Sequence, residues 1–328
     1  MPRVVCVGAN IESEKVLSEL LEAKAEIAGL ITLPPRAAVG VSDYRDLHPL
    51  CHEFKVPVVD TEDINNEATL GAIAELDPEY IFVLGWSQMF KKDLLCLPSG
   101  FVVGSHPTPL PERRGRAPIP WTILEGHRKS AVSLFRMAPG ADSGPLLIQR
   151  WFDVPERAYA MDVYERAAEN LALAFAEHYQ GIQDGAITEH VQDEKEATYR
   201  AKRVPADGFV DFRQPAEYVD RLVRAVSEPF PGAYTYYKDR VVKIWRADPY
   251  TGPEYRGVPG QILKRLHEGL VVQAGDLPVV VRELTVEGRP AVAGDFSVGE
   301  VFGYRTADVI ADLRRRIFFL EEKLGDKV

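Results

Sequence analysis

Residues 3–84 alternate short apolar runs with segments of helical periodicity, and this alternation constrains the fold more than any other feature. The run 3–8 is continuously apolar, as in a strand buried on both faces of a parallel sheet. The segment 11–24 repeats apolar residues every three or four positions, as an amphipathic helix does. Strands and helices then alternate over 27–33, 44–54, 56–59, 66–76 and 80–84. This order predicts an α/β fold with a doubly wound, mostly parallel sheet, whose ligands bind at the carboxyl ends of the strands.

The stretch from Gly100 to Gly144 holds the residues most suited to chemistry. A predicted strand delivers His106 at its carboxyl end, and the proline-rich segment that follows excludes a helix. Asp142 lies in a glycine-rich turn after the next apolar strand. A carboxylate beside an imidazole orients a general base and stabilises its charged form. We therefore expect His106 and Asp142 to meet in one site.

A second candidate segment follows the strand 80–84. Its residues are Gly85, Trp86, Ser87, Gln88 and Met89. Glycine allows backbone amides to approach a flat ligand closely, and the rings of Trp86 and Phe90 are candidate walls of a slot. Core packing is the alternative for both aromatic residues, and burial preference favours it for Phe90. The two polar residues in the middle of the segment favour a binding site.

Composition excludes several broad classes of function. The 39 Lys and Arg residues against 49 Asp and Glu give a net charge of −10, which disfavours nucleic acid as a partner because a polyanion needs a basic face. Three cysteines without paired spacing predict neither a disulfide framework nor a metal site, and they fit a reducing compartment. The chain lacks both a signal peptide and a run of about 20 apolar residues, so we expect a cytoplasmic protein without a membrane partner.

Several motifs, in order along the chain, resemble the folate-dependent formyltransferases. They are HPTPLPERRGRAPIPW at 106–121, MAPGADSG at 137–144, ATY at 197–199, DGFVDF at 207–212 and AVSEPFPGA at 225–233. The resemblance covers residues 1 to about 200 and continues more weakly beyond them. Within the family it is closest to the nucleotide-sugar N-formyltransferases of carbohydrate biosynthesis, in particular those that formylate UDP-4-amino-4-deoxy-arabinose. Gly104 and the segment 84–88 also resemble enzymes of pseudaminic-acid-type pathways.

The resemblance implies transfer of a formyl group from the cosubstrate 10-formyltetrahydrofolate to the amine of a nucleotide-linked amino sugar, without a metal. It implies His106 as the general base, with Asp142 orienting it, and it places folate against Asp142 and Gly85 to Met89. The implied acceptor-binding residues are Pro107, Thr108, Arg114, Arg116, Trp121 and Phe230. For the two aromatic residues of that set, core packing is an open alternative. The arginine loop is alternatively an orienter of the catalytic loop, or a solvated surface turn.

One position departs from the family pattern. The family usually carries Asn two residues before the histidine, as the donor to the formyl oxygen, and this chain has Gly104 there. One such donor contributes about 2.7–4 kcal/mol to transition-state stabilisation in other acyl transfers. A backbone amide, a water molecule or a polar group from Ser87 or Gln88 are candidate replacements, whereas Ser105 should face the other way. The alternatives to the nucleotide-sugar reaction are a methionyl-tRNA formyltransferase, or a folate-binding protein whose activity is lost or hydrolytic.

The chain is expected to divide at a charged segment. We predict a catalytic domain over 1–190, a linker over 191–204, an OB-like domain over 205–303 and a C-terminal helix over 304–328. The predicted strands of the second part are 209–212, 234–237, 241–247, 260–266, 269–273, 279–284 and 300–302, with one helix at 216–226. The apolar stripe of the last helix, Val309, Leu313, Ile317, Leu320 and Leu324, predicts packing on the barrel or a homodimer contact.

Overall fold

The computed structural model of the protein describes residues 3–304 and 306–325. Its contacts divide the chain into two compact units. The first unit runs to Val204 and includes Glu228–Phe230, and the second holds Pro205–Ser227 and the chain from Pro231 onward. Among the described residues, the structure contains no helix that combines the length and the apolar character needed to cross a bilayer.

A seven-stranded mixed sheet forms the centre of the first unit, in the order β3-β2-β1-β4-β5-β7-β8. Its strands are β1 (Val4–Val7), β2 (Ile27–Thr32), β3 (Val58–Asp60), β4 (Tyr80–Val83), β5 (Phe101–His106), β7 (Lys129–Arg136) and β8 (Leu146–Asp153). The first five strands are parallel, and the last two join antiparallel. This sheet confirms the predicted doubly wound, mostly parallel fold.

Six helices connect or cover the strands of this sheet. They are α1 (Ile11–Glu22), α2 (His48–Phe54), α3 (Glu67–Glu75), α4 (Lys92–Leu95), α5 (Pro118–Leu124) and α6 (Ala160–Gln183). The helix α1 begins where the Asn10 side-chain oxygen accepts the Ser13 backbone N–H at 3.0 Å, an N-cap that satisfies a free helix donor. The helix α2 begins four residues later than predicted, because residues 41–46 form a loop against the β1–α1 turn, where Arg45 N–H bonds the Ala9 carbonyl.

A two-stranded parallel pair lies beside the main sheet. It joins β6 (Arg114–Gly115) to β9 (Tyr199–Arg200), so that the segment predicted as a linker returns to the loop that follows His106. The core of the first unit is apolar, and one cluster in it joins residues of β1 and β4 to Ile64, Phe90 and Leu94. Phe90 therefore packs in the core, which was the alternative interpretation, and does not form the wall of a ligand slot.

The second unit contains an antiparallel sheet. One helix precedes this sheet along the sequence and another follows it. Its elements are α7 (Ala216–Val226), β10 (Ala233–Tyr237), β11 (Arg240–Pro249), β12 (Ile262–Leu266), β13 (Gly269–Gln273), β14 (Pro278–Val286), β15 (Arg289–Ala291) and α8 (Thr306–Gly325). The strand order is β10-β11-β14-β13-β12, with β15 paired to β14. The predicted strands 209–212 and 300–302 are wrong, since each makes only an isolated bridge, Phe209 with Tyr234 and Val301 with Gln261.

Candidate active site

The strand β5 places His106 beside Asp142. The distance from His106 Nδ1 to Asp142 Oδ2 is 3.9 Å, and His106 is 6% exposed. On the other side of the ring, Nε2 lies 3.1 Å from the backbone oxygen of Arg113. Because a carbonyl oxygen only accepts hydrogen bonds, this contact assigns a hydrogen to Nε2. The neutral ring then carries its lone pair at Nδ1, on the side that faces the carboxylate.

Two hydrogen bonds fix the position of Asp142. Its Oδ2 accepts the backbone N–H of Gly115 at 2.8 Å, and its carbonyl accepts Nε2 of Gln192 at 2.8 Å. Asp142 has φ of 50°, in the left-handed region that the glycine-rich turn was expected to favour. The carboxylate is therefore held against strand β6, with its side chain 21% exposed.

The expectation that Arg114 binds the acceptor is wrong. Arg114 is fully buried, and its guanidinium donates to Gln192 Oε1 at 2.9 and 3.1 Å. It also donates to Glu194 at 2.8 and 3.0 Å and to the Tyr199 hydroxyl at 2.8 Å. These contacts occupy the guanidinium and raise its pKa, chiefly through the hydrogen bonds that it donates to Glu194. Arg114 thus orients the loop, and through Gln192 it supports the backbone of Asp142.

The other two arginines of this loop have different environments. Arg113 is 3% exposed and donates to Thr122 Oγ1 at 3.1 Å, so the solvated-turn alternative does not hold for it. Arg116 is exposed, and its Nη1 donates to the carbonyl of Ser87 at 3.2 Å. That contact brings the segment after β4 next to the loop that binds Asp142.

Pro107 and Thr108 are scaffold residues, which corrects their assignment to the acceptor. Both are buried. Thr108 Oγ1 lies 3.1 Å from the Glu112 carbonyl, to which it donates, and the Thr108 carbonyl accepts the Ser133 hydroxyl at 2.7 Å. The burial of Pro107 and the internal hydrogen bonds of Thr108 make both residues part of the loop that surrounds His106.

The space beside Gly104 is already filled. A Cβ atom placed on Gly104 would lie 2.7 Å from Cζ of Phe135 and 2.8 Å from Cγ of Met137. Phe135 stands directly opposite Gly104 on the neighbouring strand β7. The missing Asn side chain is thus replaced by apolar atoms, which argues against a water molecule in its place.

Ser105, which was not expected to replace the Asn donor, and Gln88, which was a candidate, are both engaged elsewhere. The Ser105 hydroxyl donates to the Val83 carbonyl at 2.8 Å, as its orientation along the strand predicted. The Gln88 amide bonds Ile64 N–H at 2.9 Å and the Glu62 carbonyl at 2.8 Å, so it ties its segment to the preceding loop. A backbone amide and the Ser87 hydroxyl are the candidates that stay open.

The segment Gly85 to Met89 presents an unsatisfied donor. The indole Nε1 of Trp86 is buried and has no hydrogen-bond partner within residues 3–304 and 306–325. A ligand acceptor would remove the cost of leaving that group unpaired. Gly85, with φ of 135°, uses its missing side chain for close packing against Asn10, since a Cβ there would meet the Asn10 amide at 2.5 Å. Met89 is 56% exposed.

Trp121 and Phe230 are both half-buried. Trp121 Nε1 donates to the Ala201 carbonyl at 3.0 Å, and the guanidinium carbon of Arg203 lies 5.3 Å from its ring centre. The ring of Phe230 lies 6.5 Å from that of Tyr164, at an interplanar angle of 46°. Each ring therefore keeps an accessible part that full core packing would not leave.

Two features near the site escaped sequence reasoning. Gln192 connects Arg114 to Asp142 from within the predicted linker, where a lone polar residue gives no signal. Glu12 is only 7% exposed, and burial together with the nearby charge of Asp43 raises its pKa to about 8. Acidic residues are common in the first turn of a helix, where they are usually exposed, so the sequence did not predict that Glu12 is buried. The described residues contain no group of three His, Cys, Asp or Glu side chains arranged to hold a metal ion.

Comparison with known proteins decides the family. Residues 3–177 match the formyl transferase family, and residues 202–298 match the formyl transferase C-terminal domain. The chain belongs to the formyltransferase family. It is therefore an enzyme that transfers formyl groups. A methionyl-tRNA formyltransferase of Caldanaerobacter subterraneus subsp. tengcongensis is 28% identical, over 87% of this chain and 93% of that relative.

Two solved structures share the fold. One is WlaRD, a sugar 3N-formyltransferase determined with dTDP and 5-N-formyl-THF, at a TM-score of 0.62 and 16% identity over 86% of this chain and 97% of that one. The other is a variant of HypX from Aquifex aeolicus, at a TM-score of 0.63 and 20% identity. That match covers 87% of this chain but 44% of HypX, so this formyltransferase spans less than half the length of HypX.

Proposed function

We propose that this formyltransferase moves a formyl group from 10-formyltetrahydrofolate to the amine of a nucleotide-linked amino sugar. The observation that carries the proposal is the pair at the carboxyl end of β5. There, Nδ1 of His106 lies 3.9 Å from Oδ2 of Asp142 in a mostly buried position. An attacking amine must lose a proton, and an imidazole held at that place is suited to take it.

The two residues divide the proton transfer between them. Nδ1 of His106 accepts the proton from the acceptor nitrogen as that nitrogen bonds to the formyl carbon. The imidazolium that results donates from Nε2 to the Arg113 carbonyl, and its other N–H faces Asp142. The carboxylate stabilises this cation, and its anchor on Gly115 keeps it from turning away. The proton then passes from His106 to the departing folate nitrogen, which balances the reaction.

The residues of the second segment fit a folate ligand. The orphaned Trp86 Nε1 is a donor that needs an acceptor, and pterin rings carry several. Gly85 to Met89, with Asp142, would hold the cosubstrate, and Arg116 would link the two parts through the Ser87 carbonyl. When bound, 10-formyltetrahydrofolate supplies the formyl carbon. The closed space at Gly104 supports a backbone amide or Ser87 as the donor to the formyl oxygen.

Charge favours an amino-sugar nucleotide over a tRNA as the acceptor. The chain carries a net charge of −10, and residues 205–328 hold 18 basic and 19 acidic residues. A tRNA would meet no excess of positive charge there. The half-buried ring of Phe230 beside Tyr164 is a candidate platform for a nucleotide base. The similarity to WlaRD, which was solved with dTDP, supports the same choice.

A methionyl-tRNA formyltransferase is the second candidate, because a relative with that name is 28% identical over most of both chains. The test incubates the protein and 10-formyltetrahydrofolate with UDP-, dTDP- and GDP-linked amino sugars, or with methionyl-tRNA. We expect formyl product with one of the amino-sugar nucleotides. Formylated methionyl-tRNA without any formylated sugar would support the second candidate. Folate release without an acceptor would indicate hydrolysis instead.

A further inference from the structure

The last helix of the chain presents an apolar stripe that its own unit does not cover. The side chains of this stripe are Ile310, Leu313, Ile317 and Leu320, which are 44%, 51%, 54% and 58% exposed. Val309, near the start of α8, lines a hollow together with Lys238, Glu300 and Tyr304. The predicted packing on the barrel is therefore seen at Val309 and not at Leu313, Ile317 or Leu320, while the side chain of Leu324 lies outside the described part of the chain.

The spacing of the stripe is that of a coiled coil. Counted from Ile310, apolar residues recur after three and four positions in turn, at 310, 313, 317, 320 and 324. This pattern puts Ile310, Ile317 and Leu324 at the a positions of a heptad and Leu313 and Leu320 at the d positions. β-Branched residues at a with Leu at d favour two parallel strands. The helix of 20 residues is about 30 Å long, enough for two heptads.

The flanking charges fit a second copy of the same helix. Arg316 occupies a g position, and Glu321 occupies the e position of the next heptad. In a parallel pair these two positions face each other across the interface, so the dimer gains two opposite-charge contacts related by symmetry. Within its own chain, Arg316 forms an exposed ion pair with Asp312. Such a pair contributes little to stability, so Arg316 can exchange it for a contact with the second copy.

We propose that this stripe is an interface between two copies of the chain, which pair through α8 as a parallel, two-stranded coiled coil. Two heptads form a short interface, so we expect the dimer to dissociate on dilution. Phe318 and Phe319 lie outside the stripe, at the b and c positions, and are 64% and 56% exposed. They provide a matched control, because they are equally apolar and equally open but do not face the partner.

The first experiment measures the mass of the full chain by light scattering over a dilution series. We expect twice the monomer mass of 36.6 kDa at high concentration and the monomer mass at low concentration. Ile317→Asp should give the monomer throughout, while Phe318→Asp should behave as the unchanged protein. A wild-type monomer at every concentration would overturn the proposal, and so would a dimer that survives Ile317→Asp or is lost in Phe318→Asp. Thermal melts of both variants confirm that the fold is intact.

A second experiment tests the orientation. In a background with the exposed Cys96 changed to Ser, Ile310→Cys places a thiol at an a position, and Arg315→Cys places one at the outer f position. A parallel pair brings the two Ile310→Cys thiols together, so oxidation should cross-link that variant and not the other. No cross-link, or cross-links in both, would contradict the parallel coil.

The same variants separate a dimer from a membrane-binding helix. The three arginines at 314–316 and the two Phe residues give α8 the composition of a surface-binding helix as well. Vesicles of phosphatidylcholine and phosphatidylserine therefore serve as a probe in sedimentation. We expect the protein to stay in the supernatant. Vesicle binding that both Ile317→Asp and Phe318→Asp abolish would assign the helix to a lipid surface and overturn the dimer proposal.

Discussion

The chemistry of His106 depends on a hydrogen bond to the backbone of its own loop. The Arg113 carbonyl holds Nε2, which leaves Nδ1 as the basic nitrogen beside Asp142. That carbonyl also accepts the Thr108 hydroxyl at 3.3 Å. In the proposed reaction, the backbone of the proline-rich loop therefore selects which nitrogen of the ring acts as the base.

Replacing His106 by Asn tests the base directly. We expect the rate of formyl transfer to fall by about 10²- to 10⁴-fold, the usual contribution of a general base, with little change in thermal stability. Steady-state kinetics and a thermal melt measure the two effects. His127→Asn is the matched control, because the side chain of His127 is partly exposed and its ring pairs with Glu125 at 2.9 Å. Turnover that survives His106→Asn would contradict the assignment.

Gly104 offers a test of packing at the same strand. Gly104→Ala would put a Cβ within 2.8 Å of Phe135 and Met137, and overpacking of this kind costs about 1–3 kcal/mol. We expect the free energy of unfolding in urea to fall by that amount. Gly71→Ala is the control, since a Cβ there meets nothing within 4 Å and the residue is helical, so stability should hold or rise. Equal free energies of unfolding for the two variants would show that Phe135 and Met137 can move away from the added methyl group without loss of stability.

Sequence reasoning found the His106–Asp142 pair and missed what surrounds it. Proline and glycine signals are local, so the loop and the turn were readable from the chain itself. The space beside Gly104 is filled by the residue of β7 that lies opposite it. The register between two antiparallel strands cannot be predicted from the sequence of either strand alone. The buried Arg114 was misassigned for the same reason, because its partners Gln192 and Glu194 come from a distant segment.

At the scale of elements, the β1–α1 turn, the loop 41–46 and α6 enclose a buried acid. Glu12 is on α1, Asp43 and Arg45 come from the loop, and Tyr164 on α6 donates to Asp43 at 2.9 Å. Burial and the charge of Asp43 raise the pKa of Glu12 from 4.5 to about 8. Burial likewise raises the pKa of Tyr164, with Glu12 and Asp43 adding to the effect, while Arg45 opposes it.

This buried acid predicts a pH-dependent stability. Because the folded protein binds the Glu12 proton more tightly than the unfolded chain does, stability falls as pH rises between about 4.5 and about 8. The loss should be on the order of a few kcal/mol. In Glu12→Gln this loss should vanish, so the variant gains stability relative to the unchanged protein as pH rises. Urea unfolding at a series of pH values measures it.

Glu14→Gln is the control for that series. Glu14 lies on the same helix, is 50% exposed, and pairs loosely with Arg45 at 3.4 Å. Its variant should follow the pH profile of the unchanged protein. If Glu12→Gln follows that profile too, Glu12 is ionised in the folded protein and the burial argument does not hold.

Elements with a strong period were predicted well, as were most short strands, but two short segments of the second unit were not. The helix α7 has the predicted bounds, 216–226, because its apolar and charged residues separate cleanly on two faces. The segment 209–212 alternates as a strand does, but the Asp211 carboxylate accepts the Arg213 N–H at 3.0 Å and closes a turn. The strand β15 went unpredicted because it is only three residues long and contains a proline.

For the whole molecule, charge separates the two candidate acceptors. A protein that grips several phosphates of a nucleic acid releases counterions, and its affinity falls by about 10³- to 10⁵-fold between 50 and 200 mM salt. A nucleotide sugar carries only two phosphate groups, so its binding should respond much less. The net charge of −10 adds a general repulsion for any long polyanion.

We therefore expect weak tRNA binding together with sugar formylation that tolerates salt. Fluorescence anisotropy with labelled initiator tRNA, and the formylation rate at subsaturating amino-sugar nucleotide, are measured over the same salt series. The formylation rate should change only a few-fold over this series. Affinity for tRNA, by contrast, would fall by orders of magnitude if it depended on phosphate contacts. Tight tRNA binding with a steep salt slope would mean that a local basic surface overcomes the overall charge. The acceptor would then be the one named in the curated relative, with the same His106 and Asp142 at the reacting amine.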